Sequence, residues 1–402
     1  MALFTGTPVI LSSSPFLINN GDSNYNRGVM VSGSNLYYAA YQTGGAASGS
    51  THVLKSTDSG ATWAFEDDSN KPASSGTNGL DQGGAAKTAV WDSSAAKIHF
   101  TGRKSNAPID LAYLYFDTGT DLWHPTLVDS GSILVANVAH AALRSDGSLV
   151  VLYISATAAP NNLFYRIFSA GSWGSEITLV AGAGAETLRP QGIVIDSSDT
   201  AHVLYTINAG QSDYHYVTLT SGGSIGTPAA VVSESSQAQR HMGVIWNDRI
   251  LFTSINSAGS AVRLFEGTPV SSPVWTALAV ATTSNSSSVP QIGIHPDNSK
   301  VYLLWDKNLY GGSPNQKVMY NTYDGATFTT EDTFWDIQAN PAPGAGSIPP
   351  GDNFVQNMRM SIEGGFIHVV SETEVDFPAE NTSLVYTAVA VSPAVVHINR
   401  MY

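Results

Sequence analysis

Side chains that bind anions or donate hydrogen bonds recur at one kind of position in this chain, at or just before the start of a short apolar segment. These residues are Arg27, Lys87, His140, Arg189, Arg240 with His241, Gln291 and Arg359. Guanidinium and ammonium groups bind carboxylate and sulfate, and such donors also hydrogen-bond to sugar hydroxyls. A fold that brings them together could therefore hold such a ligand. Alternatively, they pair with acidic neighbours and close a central channel, the candidates being Asp81, Glu186, Glu234 and Asp352.

Seven similar segments position these residues. Each is an apolar stretch, a turn of Gly, Asp, Asn or Ser, and a second stretch rich in Val, Leu and aromatic residues. The segments start at Gly28, Lys87, His140, Gln191, Met242, Gln291 and Met358. Successive starts lie 59, 53, 51, 51, 49 and 67 residues apart. A period of about 50 residues with several strands in each unit is typical of a β-propeller.

The repeat predicts an all-β, seven-bladed β-propeller with four antiparallel strands in each blade, a blade being one sheet of the ring. We expect one domain over residues 1–402, with blades starting near 27, 87, 140, 189, 241, 290 and 357. The N-terminal GTPVILSSSPF resembles GTPAAVVSESS, an outer-strand segment of the fourth unit. We therefore expect residues 1–20 to complete the last blade, although the C-terminal AVVHINRMY competes for the same place.

Composition limits the classes of partner. The chain carries 18 Lys and Arg against 32 Asp and Glu, a formal net charge of −14. This balance argues against nucleic acid and against anionic lipid surfaces. No segment approaches 18 consecutive apolar residues, and MALFTGTPVILSSSPFL lacks the pattern of a signal peptide. We therefore expect neither membrane insertion nor a signal peptide.

No cofactor or metal is predicted. The chain has no cysteine, which excludes disulfides and thiolate metal sites. Its ten histidines are scattered, without a His-x-x-x-His pair. A Ca²⁺ ion held by loop carboxylates and carbonyls has no sequence marker here.

One short motif is specific. The segment from Ser56 to Trp63, STDSGATW, fits the pattern Ser-x-Asp-x-Gly-x-Thr-Trp. In such a hairpin turn the carboxylate of Asp58 accepts backbone N–H groups, Gly60 takes a positive φ, and Trp63 packs under neighbouring strands. Degenerate copies occur at Tyr323–Phe328 and at Phe116–Gly119 with Trp123.

This motif resembles the Asp-box, or BNR repeat, of sialidases and other β-propellers. The whole chain therefore resembles the BNR/Asp-box β-propeller superfamily. This resemblance implies a structural role for Ser56, Asp58, Gly60 and Trp63. In that superfamily Asp-boxes lie on the rim of the propeller, away from the axial site.

Catalytic candidates follow from the same resemblance. Sialidases use three arginines, a Tyr–Glu pair and an Asp acid, and Arg27, Arg189, Arg240 and Arg359 could mimic the arginines. The family's Arg-Ile-Pro start is not present, and no Tyr–Glu pair stands out. Glu186, three residues before Arg189, is a candidate acid or base.

A propeller lyase acting on uronates would use His or Tyr as base and Arg to neutralise the carboxylate. In this chain those roles could fall to His140 with Arg189, or to His241 with Arg240.

Two classes of function remain. The first is a glycan-binding module similar to propeller lectins. The low charge and the Ser/Thr/Ala/Gly-rich composition of this chain also resemble those of bacteriophage virion appendage proteins. The expected partners are then glycans or polysaccharides and other virion proteins. The second is a carbohydrate-active enzyme, sialidase-like or a lyase. The sequence favours binding, because no catalytic constellation is found. We expect a location in the virion or outside the cell after particle release, and otherwise in the cytoplasm.

Overall fold

All regular secondary structure found in the described part of the chain is β. The computed structural model describes residues 8–13, 16–17, 24–25, 28–42, 51–66, 87–103, 111–124, 128–129, 139–154, 160–207, 213–233, 243–255, 261–282, 290–307, 317–336, 355–376 and 381–391. In these ranges, no helix long and apolar enough to cross a membrane is found.

The strands are labelled in chain order. They are β1 (Val9–Ser13), β2 (Phe16–Leu17), β3 (Asn24–Tyr25), β4 (Met30–Ser32), β5 (Asn35–Gln42), β6 (Thr51–Ser56), β7 (Ala64–Phe65), β8 (Lys87–Asp92), β9 (Lys97–Arg103), β10 (Leu111–Asp117), β11 (Leu122–Trp123), β12 (Val128–Asp129), β13 (Ala139–Leu143), β14 (Leu149–Ile154), β15 (Leu163–Ser169), β16 (Ser172–Trp173), β17 (Ile177–Val180), β18 (Leu188–Ile195), β19 (Ala201–Ile207), β20 (Asp213–Leu219), β21 (Ala229–Ser233), β22 (Gly243–Trp246), β23 (Arg249–Ile255), β24 (Ala261–Thr268), β25 (Val274–Thr282), β26 (Gln291–Ile294), β27 (Val301–Lys307), β28 (Lys317–Tyr323), β29 (Asp332–Asp336), β30 (Val355–Glu363), β31 (Phe366–Asp376) and β32 (Asn381–Ala390).

These strands form seven sheets, blades 1 to 7. Blades 4, 5 and 6 are β18–β21, β22–β25 and β26–β29, each strand pairing with the next. Blade 3 runs from β13 to β16, with β17 also paired to β15. Blade 1 is β4 and β2 on β5, then β6 and β7; blade 2 is β8, β9 and β10, followed by β11 and β12. The predicted all-β, seven-bladed propeller is confirmed.

The first strand of the chain belongs to the last blade. Blade 7 has the order β30–β31–β32–β1, and β1 pairs antiparallel with β32, Val9 opposite Tyr386. The prediction that an N-terminal strand completes this blade is confirmed for β1. β2 also lies within residues 1–20, but it pairs with β5 of blade 1. Pairing satisfies the outer edge of β32, which would otherwise expose unpaired backbone groups. The competing C-terminal segment AVVHINRMY lies outside the described residues.

One pairing differs from the prediction of antiparallel strands throughout. β3 pairs parallel with β8, Asn24 opposite Lys87. Before the chain enters blade 1 it runs along the inner edge of blade 2, where Asn24 and Tyr25 pair with Lys87 and Thr88.

Side chains on both faces of a central strand are buried, because every blade lies between two others. Successive side chains of a strand point to opposite faces. In β19, Val203 and Tyr205 belong to the apolar cluster shared with blade 3, whereas Leu204 belongs to the cluster shared with blade 5. The second strand of a unit therefore reads as a continuous apolar run, as expected for a sheet covered on both sides.

Apolar packing continues around the whole ring. Seven clusters of buried apolar side chains, counted over the described residues, fill the seven interfaces between neighbouring blades. The interface between blades 7 and 1 also contains hydrogen bonds between residues far apart in sequence. Ser361 Oγ donates to the carbonyl oxygen of Val29 at 2.6 Å, and the Val31 amide donates to Glu363 Oε2 at 2.8 Å.

The turn between β6 and β7 has the hydrogen bonds that its motif predicts. Asp58 accepts from the amide and the hydroxyl of Thr62, at 2.8 and 2.6 Å, and Ser56 Oγ accepts from the Gly60 amide at 2.8 Å. The two bonds from Thr62, followed by one from the Ser56 hydroxyl, lower the pKa of Asp58 to about 2. Trp63 Nε1 donates to the Gly60 carbonyl at 3.2 Å.

This turn also closes the ring. The Trp63 ring packs edge-on against Tyr386 of blade 7, with centroids 5.3 Å apart. Gly60 has φ +92°, and a Cβ added to it would lie 2.3 Å from Tyr386 Cε1. The glycine is therefore required both by backbone conformation and by the close approach of the last blade.

We expect Gly60→Ala to destabilise the protein more than Gly147→Ala does. Gly147 has φ +80° but no atom within 4 Å of an added Cβ. Both variants lose about 1 kcal/mol through positive φ, and Gly60→Ala adds about 1–3 kcal/mol of overpacking against Tyr386. Urea denaturation measures both losses. Equal losses in the two variants would show that the Tyr386 contact does not hold the ring closed.

Candidate functional site

The structure places several of the predicted ligand-binding residues on the innermost strands. Lys87 begins β8, His140 and Arg189 are second in β13 and β18, Gln291 begins β26, and Arg359 lies within β30. The innermost strands of neighbouring blades contact one another in the order β8, β13, β18, β22, β26, β30 and β4. The remaining predicted residues, Arg27, Arg240 and His241, lie outside the described residues, as do Asp81, Glu234 and Asp352.

Three of these side chains are buried among the inner strands. His140, Gln291 and Arg359 are each 3% exposed or less. His140 Nε2 lies 3.1 Å from the Pro190 carbonyl oxygen of the next blade, and Gln291 Oε1 accepts from the Met360 amide of the next blade at 3.4 Å. His140 and Gln291 thus link neighbouring inner strands. Ligand binding by this set stays a prediction.

Glu186 stabilises the loop that leads into blade 4. Its Oε2 accepts from the Ala183 amide at 2.9 Å, and its own amide donates to the Ala183 carbonyl at 3.0 Å. Its charge also reaches Tyr205, whose pKa is raised to about 12, mainly by burial and further by Glu186. A role as acid or base stays a prediction.

A cleft of about 830 Å³ lies between blades 4 and 5. Its lining residues are Ile195, Asp196, Ser197, Ser198, Thr200, His202, Thr218, Thr220, Ile245, Asp248, Val270 and Ser271. They come from the turn that follows the innermost strand of each blade and from the end of the third strand. Each innermost strand runs from one end of the ring to the other, so this cleft lies at the end opposite to the strand starts where Lys87, His140, Arg189 and Gln291 lie.

A chain of hydrogen bonds forms the blade 4 wall of this cleft. Tyr216 Oη lies 2.6 Å from His202 Nδ1, and His202 Nε2 lies 3.0 Å from Asp196 Oδ2. An ionised Asp196 accepts the Nε2 proton, so Nδ1 is the acceptor for the tyrosine hydroxyl. Burial lowers the pKa of His202 despite Asp196, which keeps the imidazole neutral at neutral pH.

Asp196 itself stays ionised. Burial alone would raise its pKa, but hydrogen bonds hold it below its ordinary value. Oδ1 accepts from the Ser198 amide and hydroxyl, at 2.8 and 2.7 Å, and from the Thr200 amide at 2.9 Å. These bonds also fix the turn, so the cleft wall is rigid.

The same histidine–tyrosine pair recurs in two other blades. His99 Nδ1 lies 2.6 Å from Tyr113 Oη in blade 2, and His368 Nδ1 lies 2.8 Å from Tyr386 Oη in blade 7. In blade 2 the second imidazole nitrogen lies 3.6 Å from Asp92. In blade 7 it lies 3.2 Å from the Glu363 carbonyl oxygen.

In all three blades the tyrosine contacts an aromatic ring of the next blade. The partners are Phe168 for Tyr113, Trp275 for Tyr216 and Trp63 for Tyr386, with centroids 3.8, 5.1 and 5.3 Å apart. The pair is therefore a repeated feature of the interfaces between blades.

Sequence reasoning missed these pairs, although a signal was present. In units 2, 4 and 7 a histidine follows an acidic residue by seven, six or five residues across the first hairpin turn. The pairs are Asp92 with His99, Asp196 with His202, and Glu363 with His368.

A second cleft, of about 230 Å³, lies between blades 7 and 1. It is lined by Val31, Gly33, Leu36, Ser59, Glu363, Gly364, Phe366, His368, Tyr386 and Ala388. It occupies the position in the repeat that corresponds to the first cleft, beside a histidine–tyrosine pair. Phe366 is 44% exposed there.

Two Tyr–Glu pairs that the sequence did not reveal each join a buried tyrosine to a carboxylate. Tyr153 donates to Glu176 at 2.7 Å, and Tyr323 of blade 6 donates to Glu266 of blade 5 at 2.7 Å. Arg249 Nε lies 3.4 Å from Glu266 Oε2. Burial, strengthened by the carboxylate, raises the pKa of both tyrosines well above the ordinary value. An activated nucleophile would need the opposite shift.

Metal binding has no candidate in the part of the chain that the structure describes. No group of three or more His, Asp or Glu residues there could hold an ion.

Comparison with known proteins identifies the fold. No protein-family model matches the chain, and no curated protein matches its sequence. Among solved structures, a PL25 ulvan lyase, a polysaccharide lyase, superposes with a TM-score of 0.61 at 8% identity, covering 95% of this chain and 96% of the lyase. The BP39L lectin of Burkholderia pseudomallei has a TM-score of 0.59 at 10% identity, covering 96% of this chain and 100% of the lectin. At such identities the likeness shows the fold alone.

We expect the protein to lose stability as the pH falls from 6.5 towards 4, with His368 as one cause. Burial lowers the pKa of this imidazole from 6.5 to about 4. Below pH 6.5 the unfolded chain therefore binds a proton that the folded protein excludes. The linked loss reaches about 3 kcal/mol once the pH is below the folded pKa.

Urea denaturation at about pH 7.5 and pH 4.5 measures this loss. His368→Gln removes the titrating group, so its stability should differ between the two pH values by roughly 2–3 kcal/mol less than that of the wild type. An NMR titration that places the pKa of His368 near 6.5 would contradict the assignment.

Proposed function

We propose that this protein is a carbohydrate-binding β-propeller that holds sugar in the clefts between neighbouring blades, first of all between blades 4 and 5. The observation that carries the proposal is the lining of that cleft. It combines hydroxyl side chains, two carboxylates and three branched apolar side chains in one concave surface.

Each kind of lining group matches a part of a sugar. The hydroxyls of Ser197 and Ser271, both on exposed residues, can donate to and accept from sugar hydroxyls. Asp248 presents a carboxylate, an acceptor for hydroxyl groups. Ile195 and Val270 offer apolar contact to the C–H faces of a pyranose ring.

Hydrogen bonds within each blade hold both walls of the cleft in place. The Asp196 turn is fixed by its hydrogen bonds, and Asp248 Oδ1 accepts from the Val270 amide at 3.0 Å across the blade 5 wall. A preformed surface loses little conformational entropy on binding, which raises affinity. The second cleft between blades 7 and 1 would add a further site on the same rigid ring, and two sites increase avidity for a surface that carries many copies of a glycan.

The structural neighbours support a carbohydrate ligand. The BP39L protein is a lectin, and a PL25 ulvan lyase has been solved with -[GlcA(1-4)Rha3S]- bound, with a TM-score of 0.58 at 9% identity over 94% of this chain and 96% of the lyase. Binding without catalysis is favoured because the tyrosines of the two described Tyr–Glu pairs, Tyr153 and Tyr323, are buried and have raised pKa values.

We propose a bacteriophage particle as the setting, with the protein as an appendage that recognises the host surface. The support is compositional: no cysteine, 12% charged residues and a net charge of −14. Mass spectrometry of purified particles tests this part of the proposal, and absence of the protein from the particles would contradict it.

A substitution that fills the cleft should weaken glycan binding to it. Ser271→Trp places a bulky ring into the blade 5 wall, so we expect affinity for a glycan that binds the wild type to fall at least about tenfold. Isothermal titration measures this, with glycans first selected on an array.

The matched control is Ser172→Trp, at the corresponding exposed turn of blade 3 and outside the cleft. It should leave affinity unchanged. Equal effects of the two substitutions would contradict the cleft as the binding site. Product analysis of the same mixtures separates binding from catalysis, since release of sialic acid or of unsaturated uronate would show an enzyme.

A further inference from the structure

The charged residues that line the cleft between blades 4 and 5 are all acidic. Asp196 and Asp248 line it, and none of its twelve described lining residues is Lys or Arg. His202 is 2% exposed, and both of its nitrogens are engaged, one with Tyr216 and one with Asp196. The imidazole therefore offers no positive charge to a ligand at neutral pH.

Two arginines lie near these residues, and both are directed elsewhere. Arg144 of blade 3 is 5% exposed, and its Nη2 donates to the Thr220 carbonyl oxygen at 3.0 Å. It thus reaches Thr220 from the interface with blade 3. Arg249 follows Asp248 in sequence, but its Nη2 donates to the Gly325 carbonyl of blade 6 at 3.3 Å, and its Nε faces Glu266.

Both acidic residues of the lining carry a carboxylate at neutral pH. Asp196 is held ionised by the hydrogen bonds of its own turn. Asp248 is exposed, and its Oδ1 accepts from the Val270 amide at 3.0 Å. A ligand carboxylate or sulfate placed among them would be repelled, and no described cation in the lining offsets that repulsion.

From this charge distribution we infer that the cleft takes uncharged, hydroxyl-rich sugars and excludes uronates, sialates and sulfated sugars. The inference rests on the proposed function and names the ligand class of the same site. Asp248 serves as a specificity-determining residue, because its carboxylate accepts sugar hydroxyls and repels anions. The cationic residues of the inner strands, which suggested an acidic ligand, lie at the other end of the ring.

The test uses sugar pairs that differ by one carboxylate. Glucose- and galactose-terminated glycans are compared with their glucuronate- and galacturonate-terminated counterparts by isothermal titration on the full chain. We expect the uronate member to bind at least about tenfold more weakly at low salt, with the ratio shrinking at high salt because screening weakens the repulsion.

Asp248→Asn should reduce this ratio at least about threefold, since it removes one repelling charge and keeps a hydrogen-bonding side chain. Asp146→Asn makes the same change in net charge at an exposed turn of blade 3, outside the cleft, and should leave the ratio unchanged.

Three outcomes would overturn the inference. Uronate binding as tight as that of the neutral sugar, and abolished by Ser271→Trp, overturns the ligand class while the proposed function stands. A ratio that Asp146→Asn changes as much as Asp248→Asn overturns the role of Asp248. Absence of glycan binding, or binding that Ser271→Trp leaves intact, overturns the proposed cleft and the inference with it.

Discussion

Each blade of this protein depends on a neighbour at both of its faces, because the central strands carry apolar side chains on both sides. Val203 and Leu204 are adjacent in sequence, yet they are buried in different interfaces. An isolated blade would leave both of these faces in water, so the sheets depend on their neighbours in the closed ring. The contact that completes the ring joins the first and last blades, where β1 pairs with β32 and the Asp58 turn packs on Tyr386.

This constraint also decides where polar groups can be placed. A polar side chain between two blades loses water on both sides and must find a partner there. The histidine–tyrosine pairs of blades 2, 4 and 7 supply such partners, and in blades 4 and 7 the second imidazole nitrogen also lies within hydrogen-bond distance of an oxygen. Each tyrosine ring in turn contacts an aromatic ring of the next blade. At the end of the ring the turns diverge, and the polar interface opens into a cleft. The proposed binding surface is thus the solvent-exposed end of an interface whose deeper part holds two blades together.

The sequence predicts the ring better than it predicts the site. Turn residues and apolar runs are local signals, so the seven sheets and the Asp58–Thr62 turn could be recognised from short segments. The cleft could not, because its walls come from different blades. Asp196 and Asp248 are 52 residues apart in the sequence, and no local pattern indicates that they line the same cleft. The residue types on the inner strands were visible, but the burial of His140 and Arg359 follows from tertiary packing alone.

The central claim is that sugar binds between blades 4 and 5, at the end of the ring away from the starts of the innermost strands. A crystal structure of the protein with a glycan that binds it tests this most directly. The account predicts sugar density in contact with Asp248, Ser197 and Ser271. Sugar bound at the axial end beside Lys87 and Arg189, with this cleft holding none, would contradict it.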